Sequence, residues 1–382
     1  MFLTEQDLVD LVAFRRDLHR HPELSGEERE TARTIQAILS ASGADTIVTG
    51  LGGHGVLAIY QGDMPGPTVM LRAELDALPI EEASEVSHRS RVLGKAHLCG
   101  HDGHMTILAG VARGLGRKRP RCGRAVLLFQ PAEEDGSGAA AVLADEKFQE
   151  IRPDFVFALH NLPGVPLGQV AIVDGLVNCA SRGMQIVLSG RTAHASNPEL
   201  GVSPQGAIVR LLREIAALER GGELDRDFSM VTVTHARLGE PAFGISPGHA
   251  ELWLTLRTLA DSTMESLCSR AERFVRSVAE SERLQAEIAY RDVFSHCMNA
   301  PEAVTHLKNA LDAEGVKHSG EGLPLRGSED FGLFNRRANA AMFFLGAGTG
   351  HAGLHDPSYD FPDALIDVGS RVFMRTLRNL LG

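Results

Sequence analysis

Three short apolar runs, "TVMLRAE", "AVLLFQ" and "FVFALH", constrain this chain most, because each passes from continuous aliphatic and aromatic residues into polar ones. Apolar runs without alternation mark strands covered on both faces, as in a parallel sheet between helices. With "GVLAIY" ahead of them and helical or loop material between them, they predict an α/β layer with a largely parallel sheet. The polar ends are Arg72 and Glu74, then Gln130 to Glu134, then His160. Ligands of open α/β sheets gather beyond the carboxyl ends of the strands, so a site belongs there.

Helical spacing opens the chain. Thr4 precedes Leu8, Leu11, Phe14 and Leu18, and Ser25 with Glu28 has the spacing of a capping box for a second helix. His19 and His21 read as the end of a surface helix that Pro22 stops. From Arg182 the pattern changes: "MQIVLSG", a helix over 203–218, "SMVTVTHARL", "HAELWLTLRTL", a helix over 261–280, and "QAEIAY". That order, β-α-β-β-α-β, is the ferredoxin-like split motif. A helix, the turn "RGSEDFG", a strand "AMFFLG" and the loop "GHAGLHDPSYDFPD" follow. The expected organisation is a catalytic domain over 1–181 and 291–382, interrupted by an inserted domain over 182–290. A length of 382 residues, beyond the usual size of one core, agrees with two domains.

The formal net charge of −11 argues against nucleic acid and anionic membranes as partners. The N-terminal segment reads as an amphipathic helix rather than a signal peptide, and no window approaches the ~20 apolar residues of a membrane span. Five cysteines without close pairing suggest a reducing compartment, so the cytoplasm is expected.

The stretch "KAHLCGHDGHMTILAG" puts Cys99, His101, Asp102 and His104 within six residues, among glycines and before an apolar run. Such a loop holds a metal, works as a thiol nucleophile, or does nothing chemical. A nucleophilic Cys99 needs a base placed by the fold, and no Cys-His signature surrounds it. The metal reading draws on residues elsewhere: Glu133 and Glu134 side by side past a strand, His160 closing the next, and His355 in a Gly/Pro-rich loop. A thiolate, imidazoles and a carboxylate suit Zn²⁺, Mn²⁺, Co²⁺ or Ni²⁺ better than Mg²⁺ or Ca²⁺, and five ligands exceed what one tetrahedral ion needs. Taken singly, adjacent glutamates are a solvated turn and His160 a satisfied strand-end histidine. Cys122, Cys179, Cys268 and Cys297 read as core or incidental.

Taken together, "LRAELDALPI", "AHLCGHDGH", "FQPAEEDGSGA", "ALHNLPGVPLG", "GSEDF" and "GLHDPSYDF" resemble, in this order, motifs of the two-metal aminoacylase and carboxypeptidase family. Its branch of hippurate hydrolases, N-acyl-amino-acid amidohydrolases and auxin-conjugate hydrolases is the most similar. The resemblance covers nearly the whole chain. It implies a phosphorylase/hydrolase-like mixed-sheet catalytic domain with helices on both faces, plus a ferredoxin-like lid and dimerisation domain. It also implies two divalent ions per chain, with Cys99 as the bridging thiolate and His101, Glu134, His160 and His355 as the other ligands. Glu133 matches the carboxylate that activates water and carries its proton to the leaving amine.

Within the lid, His194 of "RTAHASNPELG" matches the residue that stabilises the oxyanion, commonly across a dimer. Arg257 of "LTLRTL" aligns with an arginine that binds the substrate carboxylate, and the Gly327-Ser328 turn with a close backbone approach to substrate. Glu74 stands where the family usually has Asp, and Gly244 where relatives often have Asn. Glu74, Asp102, His97 and His104 are assigned supporting roles. The expected protein is a metal-dependent hydrolase of small N-acyl-amino acids, acting as a homodimer or higher homo-oligomer. The alternatives are a dipeptidase or carboxypeptidase on the same scaffold, or a silent relative that binds metal or an acyl-amino acid.

Overall fold

In the computed structural model, which describes residues 2–382, helix α1 (Glu5–Arg20) begins at a closed capping box. The Thr4 hydroxyl accepts the Asp7 N–H, and the Asp7 carboxylate accepts the Thr4 N–H. Helix α2 (Arg29–Ala41) starts differently from the Ser25/Glu28 expectation. Glu28 is its N-cap residue but makes no side-chain cap bond, because its carboxylate accepts the N–H groups of Gly26 and Ala132. Ser25 donates instead to Asp76 Oδ2 at 2.7 Å. His19, expected at the surface, is fully buried.

The four predicted strands form as β2 (Gly55–Gln61), β3 (Met64–Glu74), β4 (Cys122–Gln130) and β5 (Phe155–Pro163), and a strand the sequence reading did not name, β1 (Thr46–Leu51), precedes them. They share an eight-stranded sheet with Asn339–Gly348, Val170–Ala171 and His318–Ser319, in the order β1-β2-β4-β3-β5 and then those three. The centre is parallel, from β4 through β3 and β5 to Asn339–Gly348. β1 and β2 run antiparallel, as does Val170–Ala171 against Asn339–Gly348. The sheet is therefore mixed rather than largely parallel, since the β1–β2 connection is too short for the crossover that parallel neighbours need. Val69, Leu71, Leu127, Phe129, Phe157, Phe343 and Leu345 are fully buried in it. Helix α3 (His101–Arg117) packs on β3, on α1 and on the last helix, Leu365–Leu381. This first unit comprises the chain up to Val177 together with Cys297–Leu323 and Asp330–Gly382.

The second unit is Asn178–His296 with Pro324–Glu329. Its antiparallel sheet has the order Ser229–Leu238, His249–Thr258, Ala180–Ser189, Gln285–Phe294, with helices Gln205–Glu214 and Asp261–Ser281. The predicted β-α-β-β-α-β order is thus present, over its own core that includes Leu211, Leu252, Leu254, Leu267 and Val275. The unit reaches beyond 182–290 because of a non-local pairing: the Cys179 N–H donates to the carbonyls of Leu325 and Gly327, both at 3.2 Å. Among the described residues no helix is long and apolar enough to cross a membrane, and no two cysteines form a disulfide.

Candidate active site

Polar side chains converge beyond the carboxyl ends of β3, β4 and β5, beside the start of α3. Cys99 immediately precedes Gly100, the N-cap residue of α3, which has φ +91°. A Cβ at Gly100 would lie 2.0 Å from Asn161 Oδ1, so both backbone and space require glycine there. Two further backbones are left-handed without being glycine: Ala132 (φ 50°), just before Glu133, and His355 (φ 66°). Such conformations cost on the order of 1–3 kcal/mol and persist where neighbours enforce them. Here the Ala132 N–H donates to Glu28 Oε1 at 2.8 Å, and the His355 N–H donates to the Leu98 carbonyl at 2.9 Å.

The donors form two triads that share Cys99. In one, Cys99, His101 and His160 bring their ligand atoms within 4.8 Å of one another; in the other, Cys99, Glu134 and His355 do the same. Cys99 Sγ lies 3.3 Å from His160 Nε2, and His355 Nε2 lies 3.6 Å from Glu134 Oε2. His101 Nε2 is 3.8 Å from Glu134 and 3.9 Å from Glu133. The thiol–imidazole distance is within hydrogen-bond range for sulfur, and the other three are too long for hydrogen bonds. They suit atoms ~2.0–2.3 Å from a common ion, which stand roughly 3–4 Å apart. His101 Nε2 is buried and has no hydrogen-bond partner, so a cation between these groups fits the donor set.

Burial and neighbouring carboxylates set the protonation of Cys99, His101 and His160. Burial, followed by the Glu134 and Glu133 carboxylates, holds the Cys99 thiol well above its ordinary value. Burial lowers His160 to about 3, with His104 adding to the effect, so it offers a neutral imidazole. Burial would also lower His101, but Asp76, Glu74 and Glu134 raise it to about 10.

Behind the donors stand the expected supporting residues and one that the motifs did not single out, Asp76. His101 Nδ1 donates to the Asp76 carbonyl at 2.9 Å, while Asp76 Oδ2 accepts the Glu134 N–H at 2.9 Å. Asp76 thereby fixes one donor from each triad. It sits inside "RAELDALPI" two residues after Glu74, and that nearness to a strand end was the available signal. Glu74 is buried against His104 Nδ1 at 2.6 Å and pairs with Arg72. Arg72 also donates to Gln130 and to Asp330, at 2.9 and 2.6 Å. His97 is buried with no hydrogen-bond partner on either ring nitrogen. Asp102 turns away from the donors and binds Arg15 and His19.

The remaining predicted residues belong to the second unit. His194 is exposed on a two-stranded ribbon, Ala193–His194 with Ile245–Ser246. Its Nδ1 accepts the Ser196 N–H at 3.1 Å, which leaves the ring proton on Nε2. Arg257 Nη1 donates to Ser328 Oγ at 2.8 Å and to the Arg326 carbonyl at 3.0 Å. Burial pulls its pKa down, and among the described residues no carboxylate pairs with it. An added Cβ at Gly327 would meet nothing within 4 Å.

The model of Peptidase family M20/M25/M40 matches residues 70–379. The chain is 30% identical over 371 residues to the putative amidohydrolase YhaA of Bacillus subtilis (strain 168), covering 95% of this chain and 92% of that one. It is likewise 30% identical to the IAA-amino acid hydrolase ILR1-like 5 of Arabidopsis thaliana, covering 96% and 85%. Among solved structures, the Bacillus subtilis YXEP protein, described as a dinuclear metal binding peptidase from the M20 family, superposes with a TM-score of 0.81. The two are 25% identical over 99% of both chains. The chain therefore belongs to peptidase family M20/M25/M40, and it is a hydrolase of that family.

Proposed function

We propose that this hydrolase cleaves the amide bond of N-acyl-amino acids, hippurate-like in form, to a carboxylic acid and a free amino acid. The observation that carries the reading is the pair of triads sharing Cys99, with Glu133 set against the same His101. Cys99, His101 and His160 would hold one divalent ion, and Cys99, Glu134 and His355 the other. Zn²⁺, Mn²⁺, Co²⁺ and Ni²⁺ all suit that donor set. When bound, such ions supply Lewis acidity toward water and the scissile carbonyl.

Glu133 is the base. Its carboxylate is buried and stands at the mouth of β4, where it takes a proton from the attacking water and delivers it to the leaving nitrogen. His194, with its proton on Nε2, donates a hydrogen bond to the oxyanion. Arg257 offers its uncommitted guanidinium donors to the substrate carboxylate, beside Ser328 and the Gly327 backbone. The relatives named as amidohydrolase and amino acid conjugate hydrolase support an amide of this kind.

The test is turnover on a panel of N-acetyl, N-benzoyl and longer-acyl amino acids alongside unblocked dipeptides. Acyl-amino acids are expected to be the better substrates; faster release from dipeptides would favour the peptidase alternative. The exposed edge strands of the second unit's sheet, Ser229–Leu238 and Gln285–Phe294, suit pairing with a second copy, which makes a dimer the expected assembly. If His194 serves a neighbour's site, mixing inactive Glu133→Gln and His194→Ala proteins under subunit exchange restores some activity. No recovery despite proven exchange places His194 in its own chain's site or outside the reaction.

A further inference from the structure

A chain of buried contacts runs from Arg72 to His160, and the reaction as described makes no use of it. Arg72 Nη1 donates to Glu74, and Glu74 Oε2 receives His104 Nδ1–H at 2.6 Å. The opposite ring nitrogen of His104, Nε2, accepts the Asn161 N–H at 3.1 Å. The same nitrogen lies 2.7 Å from the Asn161 side-chain oxygen, Oδ1, so the side chain of Asn161 as well as its backbone meets the His104 ring. The Asn161 carbonyl in turn accepts His160 Nδ1–H at 2.7 Å, leaving His160 Nε2 as the atom that faces Cys99. Glu74, His104 and Asn161 are at most 1% exposed, so no water competes for these bonds.

We infer that Glu74 and His104 are positioning residues for His160, acting through Asn161. The inference rests on the metal-pair reading above and adds a direction to it. Asn161 is pinned on both sides, its N–H on His104 and its carbonyl under His160, so the imidazole plane of His160 has one orientation. Gly100 takes part, since only a residue without Cβ leaves room for the Asn161 carboxamide. A ligand imidazole whose far N–H is committed to a carbonyl presents a fixed and more basic lone pair. His101 is held separately, by Asp76, and His355 by the Leu98 carbonyl. The chain therefore serves the triad of Cys99, His101 and His160, and not the triad of Cys99, Glu134 and His355. Glu74 keeps its charge in this setting because Arg72 offsets it.

The experiment is titration of metal-free protein with Co²⁺ alone, following the visible spectrum and the stoichiometry. Wild type, Glu74→Gln, Glu74→Asp and His104→Gln are compared, with far-UV circular dichroism checking the fold of each. Wild type is expected to bind in two steps. Glu74→Gln and His104→Gln should weaken one step by roughly ten- to a hundredfold and leave the other unchanged. Glu74→Asp, which keeps the charge on a shorter arm, should fall between. At saturating Co²⁺, kcat should return close to wild type, as a positioning role requires. Parallel weakening of both steps, no weakening, or a kcat that stays low at saturation overturns the relay. Wild type binding fewer than two ions would overturn the metal pair, and the relay with it. Should the variants not fold, the wild type still decides. Two slowly exchanging imidazole N–H protons, from His104 and His160 Nδ1, are expected in its ¹⁵N-resolved NMR spectrum, and rapid exchange of both rules out the chain.

Discussion

His101 and Asp102 are neighbours at the start of α3, yet their side chains enter two differently balanced regions of the first unit. Asp102 joins a network in which cations and carboxylates alternate. Its Oδ2 lies 3.2 Å from Arg15 and 2.9 Å from His19. Arg15 continues to Asp360 and Asp363 at 2.6 and 2.8 Å, and His19 to Glu82 at 3.3 Å. His101 joins a region where a thiol and two carboxylates face imidazoles across 3.3–3.9 Å, and its own Nε2 finds no hydrogen bond. Both regions set buried imidazoles against carboxylates. They differ in closure: in the first each carboxylate has a cation within 2.6–3.3 Å, while the second gathers lone pairs toward a common point. Buried polar groups that satisfy one another hold a fold together, and those that converge without doing so mark chemistry.

The sharpest way to break this contrast is to remove one group from each region. Cys99→Ala takes the atom common to both triads, and both metal retention and activity should be lost, as they should on chelation of the native protein. Elemental analysis after metal loading checks it, and a wild-type preparation that never exceeds one ion per chain would contradict the shared-thiolate arrangement. Glu133→Gln should retain both ions and lose turnover by roughly a hundredfold or more. A rate near wild type would remove Glu133 from the role of base. On the other side, Arg15→Met removes the cation that Asp102, Asp360 and Asp363 share and leaves Asp102 to His19 and Asp363 to Arg16. The expected result is a loss of about 3–5 kcal/mol in unfolding free energy, with the metal content of the folded protein unchanged. Urea unfolding of the metal-free protein measures the first part. An Arg15→Met protein of normal stability that no longer bound metal would show that the two regions are one.

The two regions also differed in how far the sequence disclosed them. Cys99, His101, Glu133, Glu134, His160 and His355 were legible because each sits at a strand end, a helix start or a loop, inside a short motif. Arg15 and His19 were not, since a cation on an amphipathic helix is ordinarily a solvated one. Spacing offered a clue: Leu11, Arg15 and Leu18 share one face of α1, and all three are buried. Asp102 lay in full view among the candidate donors, yet nothing local shows that its side chain turns the other way. Asp76 and Asn161 escaped for a related reason, because each holds an imidazole through its backbone carbonyl. The return of Pro324–Glu329 to the second unit depends on a pairing with Cys179 across more than a hundred residues, beyond any window of periodicity. The strands and the β-α-β-β-α-β order were readable because burial on both faces and turn residues are local properties. The antiparallel edge of the large sheet was not, since runs of apolar residues do not encode direction.

The smallest expected effect concerns pH, and it belongs to the closed network alone. Burial by itself would lower the His19 imidazole, but Asp102 and Glu82 overcome it and raise His19 to about 9, from an ordinary 6.5. A group whose pKa rises on folding binds its proton more tightly in the native state. Its contribution is complete below about 6.5 and is lost as pH rises through about 9. Glu82 moves in the opposite sense. Burial would raise it, yet His19, Ser84 and the Ser90 N–H bring it down to about 2, from 4.5. Its contribution is complete above about 4.5 and is lost as pH falls toward 2. The pair should therefore give the metal-free protein a stability plateau between roughly pH 4.5 and 6.5, with a decline on either side. In His19→Gln the alkaline decline should flatten, because no imidazole remains to lose a proton, and the acid decline should shrink as Glu82 loses its partner. Urea midpoints measured from pH 2 to 10 decide the matter. An alkaline limb equally steep in His19→Gln and wild type would mean that His19 is neutral in the native state, and that the Asp102 region is less closed than its distances imply.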